Sequence, residues 1–212
     1  MVKVKICGNT SKETALAALS YGADMLGFIV NVSGSKTSIT PEQAREIISA
    51  LPSGETVVVT TATDAQEIKR LAQETGVSTI QYHGEVSPET IAKIKDELPN
   101  IAAWKVIHVK DESAIDEARK YESIVDAILL DTAQGGQIGG TGTTHDWNIS
   151  RIIAGDYSKP IILAGGLNPD NVEEAIRVVK PYAVDVNSGV TNSDGSKDLE
   201  KVKLFIERAK GK

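Results

Sequence analysis

Several short stretches of this 212-residue chain place a reactive or anion-binding group directly after an apolar run. Cys7, the single cysteine, follows Lys3-Val4-Lys5-Ile6 and precedes Gly8. A thiol there is either a small buried hydrophobe or a general base. As a base it needs thiolate character, so a nearby cation should lower its pKa, and Lys5, two residues back, points the same way along a strand. Asp131 follows Ala127-Ile128-Leu129-Leu130. It is a loop anchor, a helix cap or a functional acid. Capping is the weakest account, because Thr132-Ala133-Gln134-Gly135-Gly136 is a poor helix start. Partial desolvation would hold such a carboxyl protonated and fit it for general acid work.

Two glycine-bearing turns point to an anion. Gly165 and Gly166 follow Ile161-Ile162-Leu163-Ala164, and Asn187-Ser188-Gly189 follows Val184-Asp185-Val186. Backbone N–H groups in such turns can converge on a phosphate. Ordinary turns, with Asn168 as a cap and Pro169 in the first helical turn, are the competing account. No Gly-Lys-Ser/Thr motif is present, which excludes a P-loop. The segment Thr132–Asp146, carrying Gly139-Gly140-Thr141-Gly142, exceeds the usual loop length and reads as a lid, a ligand contact or simply a mobile loop. His83 follows Thr79–Tyr82 and either hydrogen-bonds a substrate or is structural. No two of His83, His108 and His145 share helical i, i+4 spacing, so no histidine metal set is expected. His108 and His145 read as structural or solvated, and Trp104 as packing. One cysteine excludes an internal disulfide and a thiolate metal cluster.

These groups need elements to hold them. Eight apolar, largely β-branched runs recur: Val2–Ile6, Met25–Val30, Thr56–Thr60, Thr79–Tyr82, Ala102–Ile107, Ala127–Leu130, Pro160–Ala164 and Ala183–Val186. Each is nearly continuously apolar, as strands buried on both faces are. Between them lie amphipathic helical patterns at 11–21, 41–51, 64–74, 88–98, 112–121, 169–179 and 198–210, with a shorter one at 148–154. Ser11 and Thr40 are expected N-caps, and Pro41 opens its helix. Eight strands alternating with eight helices, about 26 residues per unit, predict an α/β fold: a (βα)8 TIM barrel over residues 1–212, with a doubly wound sheet as the rival. In a barrel, every candidate above falls at the C-terminal rim, where catalytic groups and phosphate loops sit.

Composition narrows the chemistry. About 70% of the unfolded surface is buried at this size, enough for a core without staples. Hydrophobic residues make up 41% and charged residues 25%, which argues against a disordered chain. A net charge of −6 and 4% aromatics disfavour a nucleic-acid partner. No run of about 18 apolar residues predicts a membrane span, and a lone cysteine suggests the cytoplasm.

The blocks Lys5-Ile6-Cys7-Gly8, Gln81-Tyr82-His83-Gly84, Leu129-Leu130-Asp131-Thr132, Gly139-Gly140-Thr141-Gly142, Ala164-Gly165-Gly166-Leu167-Asn168-Pro169, Val184-Asp185-Val186-Asn187-Ser188-Gly189 and Lys197-Asp198 occur in one order along the chain. Together they resemble the phosphoribosylanthranilate isomerase family of tryptophan biosynthesis. The resemblance implies an Amadori rearrangement on a small phosphorylated substrate, with no redox cofactor or metal, by a monomer or homodimer. It implies Asp131 as general acid, Cys7 as general base, and Gly166, Asn187, Ser188 and Gly189 at the phosphate, with Asp185 positioning; the rim reading adds Gly165 to the phosphate turn and His83 at the substrate. Many members carry an arginine for the substrate carboxylate where this chain has Ser35-Lys36-Thr37. Threonine cannot replace a bidentate guanidinium, so Lys36 is the expected partial substitute. Losing about 1.5–3 kcal/mol there would weaken binding roughly ten- to hundred-fold. A related sugar-phosphate isomerase with another aglycone, and an inactive phosphometabolite-binding barrel, are the alternatives.

Overall fold

The computed structural model describes residues 1–52, 54–132 and 144–212. Its eight barrel strands are β1 (Lys3–Ile6), β2 (Met25–Val30), β3 (Glu55–Thr60), β4 (Thr79–Tyr82), β5 (Ala102–Val109), β6 (Ala127–Thr132), β7 (Ile161–Leu163) and β8 (Ala183–Val186). All neighbours pair in parallel, and β1 closes the sheet. Lys5 is in register with Met25 of β2 on one side and with Asp185 of β8 on the other. That closure makes a barrel and excludes the open doubly wound sheet. A two-residue strand, Ser38–Ile39, adds to β2 outside the barrel and had no counterpart in the sequence pattern.

Eight helices follow the strands: α1 (Lys12–Tyr21), α2 (Pro41–Ser49), α3 (Ala65–Thr75), α4 (Pro88–Glu97), α5 (Ser113–Tyr121), α6 (Trp147–Asp156), α7 (Val172–Val179) and α8 (Leu199–Ala209). Ser11, Thr40, Asp64, Ser87, Asp146 and Asp198 cap six of them through their side chains, and Thr40 and Gln43 form a capping box. The alternation of strand side chains then divides the core. One set, including Val4, Ile6, Phe28, Val58, Ile80, Ile128 and Val184, packs under the helices. The other points inward, where Met25, Val57, Trp104, Val106, Leu129 and Ile162 fill the barrel.

Three boundaries differ from the pattern. The helix expected from Pro169 begins at Val172, because Asn168 to Asn171 form a turn closed by the Asn168 N–H donating to Asn171 Oδ1 at 2.8 Å. The weak pattern at 148–154 is a ten-residue helix, stopped at neither end where its apolar residues thin out. Strands β5 and β6 run two residues beyond their apolar runs, so His108 and Asp131 lie within strands instead of after them. Among the described residues no helix is long and apolar enough to cross a membrane.

Candidate active site

Period-two alternation carries the inward register of β1, β4, β6 and β8 up to the C-terminal rim, where it delivers Lys5, Cys7, Gln81, His83, Asp131, Asp185 and Asn187 to one place. Of these, Cys7, Gln81, His83, Asp131, Asp185 and Asn187 line a single pocket of about 770 Å³ including its mouth. That size suits a small ligand.

The floor is ionic. Lys5 is fully buried and its Nζ donates to Asp185 Oδ2 and Gln81 Oε1, both at 2.9 Å. Burial is the largest influence and opposes the ammonium charge, but Asp185 and Cys7 together outweigh it and Lys5 titrates above its ordinary value. Asp185 Oδ1 is buried with no hydrogen-bond partner among the described residues.

Cys7 lies directly above this pair, packed with Ile29, Val32 and Val59. Gly27 makes its room: a Cβ there would stand 2.7 Å from Cys7 Sγ. The expected lowering of the thiol pKa does not occur. Burial pushes it up and the nearby Asp185 carboxylate adds to the rise, and these outweigh the pull of Lys5 and Lys197. The cation reasoned from sequence is in place but loses to desolvation.

Asp131 sits across the pocket. Burial pushes its carboxyl up to about 6, against the Thr132 N–H that donates to Oδ1 at 2.8 Å, while the Asp185 charge adds to the rise. Gly165 crosses close by with φ +80°; a Cβ on it would lie 2.3 Å from the Thr132 nitrogen and 2.7 Å from Asp131 Oδ1. Only glycine permits both that backbone angle and that approach.

At the other end Gly165, Gly166 and Ser188 line the same pocket. The backbone N–H groups of Gly166, Ser188 and Gly189 donate to no acceptor among the described residues. Ser188–Val190 is one 3-10 turn. Asn171, which the sequence reading passed over, orients the first loop by donating from Nδ2 to the Gly166 carbonyl at 3.0 Å. Lys197 stands in the Lys197-Asp198 block but received no role from the sequence. It is buried, its Nζ donating to Asn187 Oδ1 at 2.9 Å and Thr191 Oγ1 at 2.8 Å, and burial pushes it down to about 8. An antiparallel bridge between Thr191 and Lys197, six residues apart, turns the chain back to the rim.

Lys36 stands outside the pocket lining. Its exposed Nζ reaches over the rim to the Ser193 carbonyl at 3.2 Å, and the pocket wall beside it is Ser35. Thr37 is buried, with Asn187 Nδ2 donating to its Oγ1 at 3.4 Å. No lysine or arginine lines the pocket among the described residues. Gly139-Gly140-Thr141-Gly142 and most of the long segment it belongs to lie outside the described residues.

The histidines divide. His145 is structural, its Nδ1 within 3.0 Å of Thr132 Oγ1 and its Nε2 within 2.5 Å of Ser150 Oγ. His83 is pushed down to about 4 by burial, then by His108 and Lys105. His108 comes beside it, and with Asp131 the two offer ligand atoms that all lie within 4.8 Å of one another. The spacing argument against a histidine set therefore fails: i, i+4 governs helices, whereas adjacent parallel strands bring together residues far apart in sequence.

The sequence profile described as N-(5'phosphoribosyl)anthranilate (PRA) isomerase matches residues 4–208. An N-(5'-phosphoribosyl)anthranilate isomerase of Methanocella arvoryzae is 45% identical over 99% of each chain. Among solved structures, monomers generated from the dimeric phosphoribosylanthranilate isomerase of Thermotoga maritima superpose with a TM-score of 0.87 at 39% identity, covering both chains fully. A phosphoribosyl anthranilate isomerase in complex with reduced 1-(o-carboxyphenylamino)-1-deoxyribulose 5-phosphate gives 0.87 at 37%, again over both full chains.

Proposed function

The chain belongs to the N-(5'-phosphoribosyl)anthranilate isomerase family, and from that premise we propose how its rim residues divide the work. The protein is an isomerase of tryptophan biosynthesis that converts N-(5'-phosphoribosyl)anthranilate to 1-(2-carboxyphenylamino)-1-deoxyribulose 5-phosphate. In our reading residues 1–212 act as one barrel domain. The substrate phosphate rests on the N–H groups of Gly165, Gly166, Asn187, Ser188 and Gly189, and the anthranilate ring on the apolar shelf of Ile29, Val32 and Val59. With no guanidinium at Thr37, the hydroxyls of Ser35 and Thr61 receive the aglycone carboxylate. Both line the pocket beside that shelf.

Chemistry proceeds between. Protonated Asp131 gives its proton to the ribose ring oxygen as the C1–O bond breaks and the nitrogen lone pair forms the Schiff base. The Cys7 thiolate then removes the C2 proton, and the released pair forms the C1=C2 bond of an enolamine. Loss of the C2 hydroxyl proton and protonation at C1 give the ketone. C1 is reduced and C2 oxidised within one molecule, so the electrons balance without a co-reactant. Asp185 holds Lys5 charged beneath the thiol, and Lys197 adds a second positive group; both favour the thiolate. His83 borders the same space as a substrate hydrogen-bond partner.

One observation supports this division: a thiol and a raised carboxyl face one pocket whose far end presents unused N–H groups. The acid titrates below the base, so the reactive form, carboxyl protonated and thiol ionised, is the minor of two proton isomers. A cytoplasmic setting fits a working free thiol, and a monomer or homodimer fits the dimer named for the T. maritima relative. Steady-state turnover of phosphoribosylanthranilate by Cys7→Ser and Asp131→Asn tests the roles. Each should lower kcat by about 10²-fold or more; wild-type-like kcat in either variant removes that residue from its role.

A further inference from the structure

Three donors that the isomerisation does not use together converge at the ends of β4, β5 and β6. His83 follows β4, while His108 and Asp131 stand one residue before the ends of their strands. His108 and Asp131 are register partners on adjacent strands. The His83 ring packs edge-on to His108 with centroids 5.0 Å apart. Neither ring nitrogen of His83 has a hydrogen-bond partner among the described residues, although both are buried. Leaving such groups unsatisfied is unfavourable, and a cation would take the lone pair of the unprotonated nitrogen. Thr132 N–H occupies Asp131 Oδ1, which leaves Oδ2 without a donor among the described residues.

We propose that His83, His108 and Asp131 form a binding site for a divalent transition-metal ion of the Zn2+ class, and that its occupation competes with the isomerase substrate. Two imidazoles and one carboxylate are the donor set of open zinc sites, in which water completes the shell. Mg2+ and Ca2+ favour all-oxygen shells and are selected against. A tetrahedral ion needs donors about 3.4 Å apart at ordinary bond lengths. The three ligand atoms lie within 4.8 Å of one another, so side-chain rotations of about an ångström complete the site. Its net charge is moderated locally, because the carboxylate of Asp185 lines the same pocket. A bound ion removes the Asp131 oxygen from the proton path and puts its water ligands where the sugar must lie. The competition rests on the acid role given to Asp131; the binding does not.

Titration of the free protein with Co2+, followed by its visible d–d absorption, reads the site directly. Wild type and Cys7→Ser should both develop the band of a nitrogen- and oxygen-bound ion. His108→Ala and His108→Gln should require at least about tenfold more Co2+, the scale of losing one ligand-shell interaction. His108 is exposed and absent from the pocket lining, so both variants should fold, and the metal-free turnover of each serves as its own baseline. In a parallel assay Zn2+ should raise the wild-type KM at unchanged kcat and leave the His108 variants less affected. No band, an unchanged titration in the His108 variants, or loss of the band in Cys7→Ser overturns the proposal, and each does so whether or not the protein isomerises its substrate.

Discussion

Two arcs of one barrel interior have opposite character. Along β5, β6 and β7 the inward residues are Trp104, Val106, Ala127, Leu129 and Ile162, all buried in one apolar cluster. Where β1 meets β8 they are Lys5, Cys7 and Asp185, a buried ion pair beneath a buried thiol. Both arcs use the same parallel ladder and the same alternation, so backbone geometry does not distinguish them. What differs is the sign of their contribution: the apolar arc gains by excluding water, at about 25 cal/mol per Å². The ionic arc loses solvation and recovers it only through mutual pairing. The thiol and its ion pair occupy the arc that folding would not choose, while Asp131 tops the apolar arc near the end of β6.

The largest effect should come from breaking the pair. Asp185→Ala leaves the fully buried Lys5 ammonium uncompensated and should destabilise the protein by about 3–5 kcal/mol in urea unfolding. Leu129→Ala in the apolar arc, about 2–5 kcal/mol, is the matching control. The arcs part in the double variants. Lys5→Met with Asp185→Leu should recover most of the stability while leaving turnover low. If Asp185→Ala unfolds at the wild-type denaturant concentration, the ionic arc is not held by pairing and the comparison fails.

Asp131 sharpens the contrast, since its raised pKa is itself a penalty. The folded carboxyl titrates at about 6 against an ordinary 3.8, so the native state holds more protons across that window and stability falls as pH rises through it. Above pH 6 the penalty is complete and reaches at most about 3 kcal/mol, less whatever solvent at the pocket mouth screens. Asp131→Asn should therefore be more stable than wild type at pH 7, with the advantage gone below about pH 4, in thermal melts at both values. Wild-type kcat/KM should fall about tenfold per pH unit below about 6 and fall again above the raised Cys7 pKa, a bell that belongs to the pair. An acid limb near the ordinary carboxylate value would mean that Asp131 is solvated in the working enzyme.

The fold and the core of the site were legible because both depend on period and position. Apolar runs of strand length identified all eight barrel strands, and rim position picked out Cys7, Asp131 and the two glycine turns. What stayed hidden depends on distance in space. Lys197 reaches the site through a fold-back, Asn171 acts through the Gly166 carbonyl, and His108 joins His83 across 24 intervening residues. The thiol pKa was misjudged for a related reason: sequence shows which charge lies two residues away, not how much water the barrel removes. Lys36 shows that a motif position fixes the backbone of a loop but not where a long side chain finds its acceptor.

The smallest effect is expected at Lys36. Its ammonium is solvent-exposed and spans to Ser193 outside the pocket lining, a contact of the kind worth roughly 0.5 kcal/mol or less. Lys36→Ala should shift KM for phosphoribosylanthranilate by no more than about twofold with kcat unchanged. Ser35→Ala and Thr61→Ala remove hydroxyls that do line the pocket and should each raise KM more, by about three- to tenfold, the scale of one hydrogen bond. A tenfold rise for Lys36→Ala alone would show that the lysine swings inward when substrate arrives. The aglycone carboxylate would then be met by a charge supplied from the rim, and the hydroxyls of Ser35 and Thr61 would be secondary.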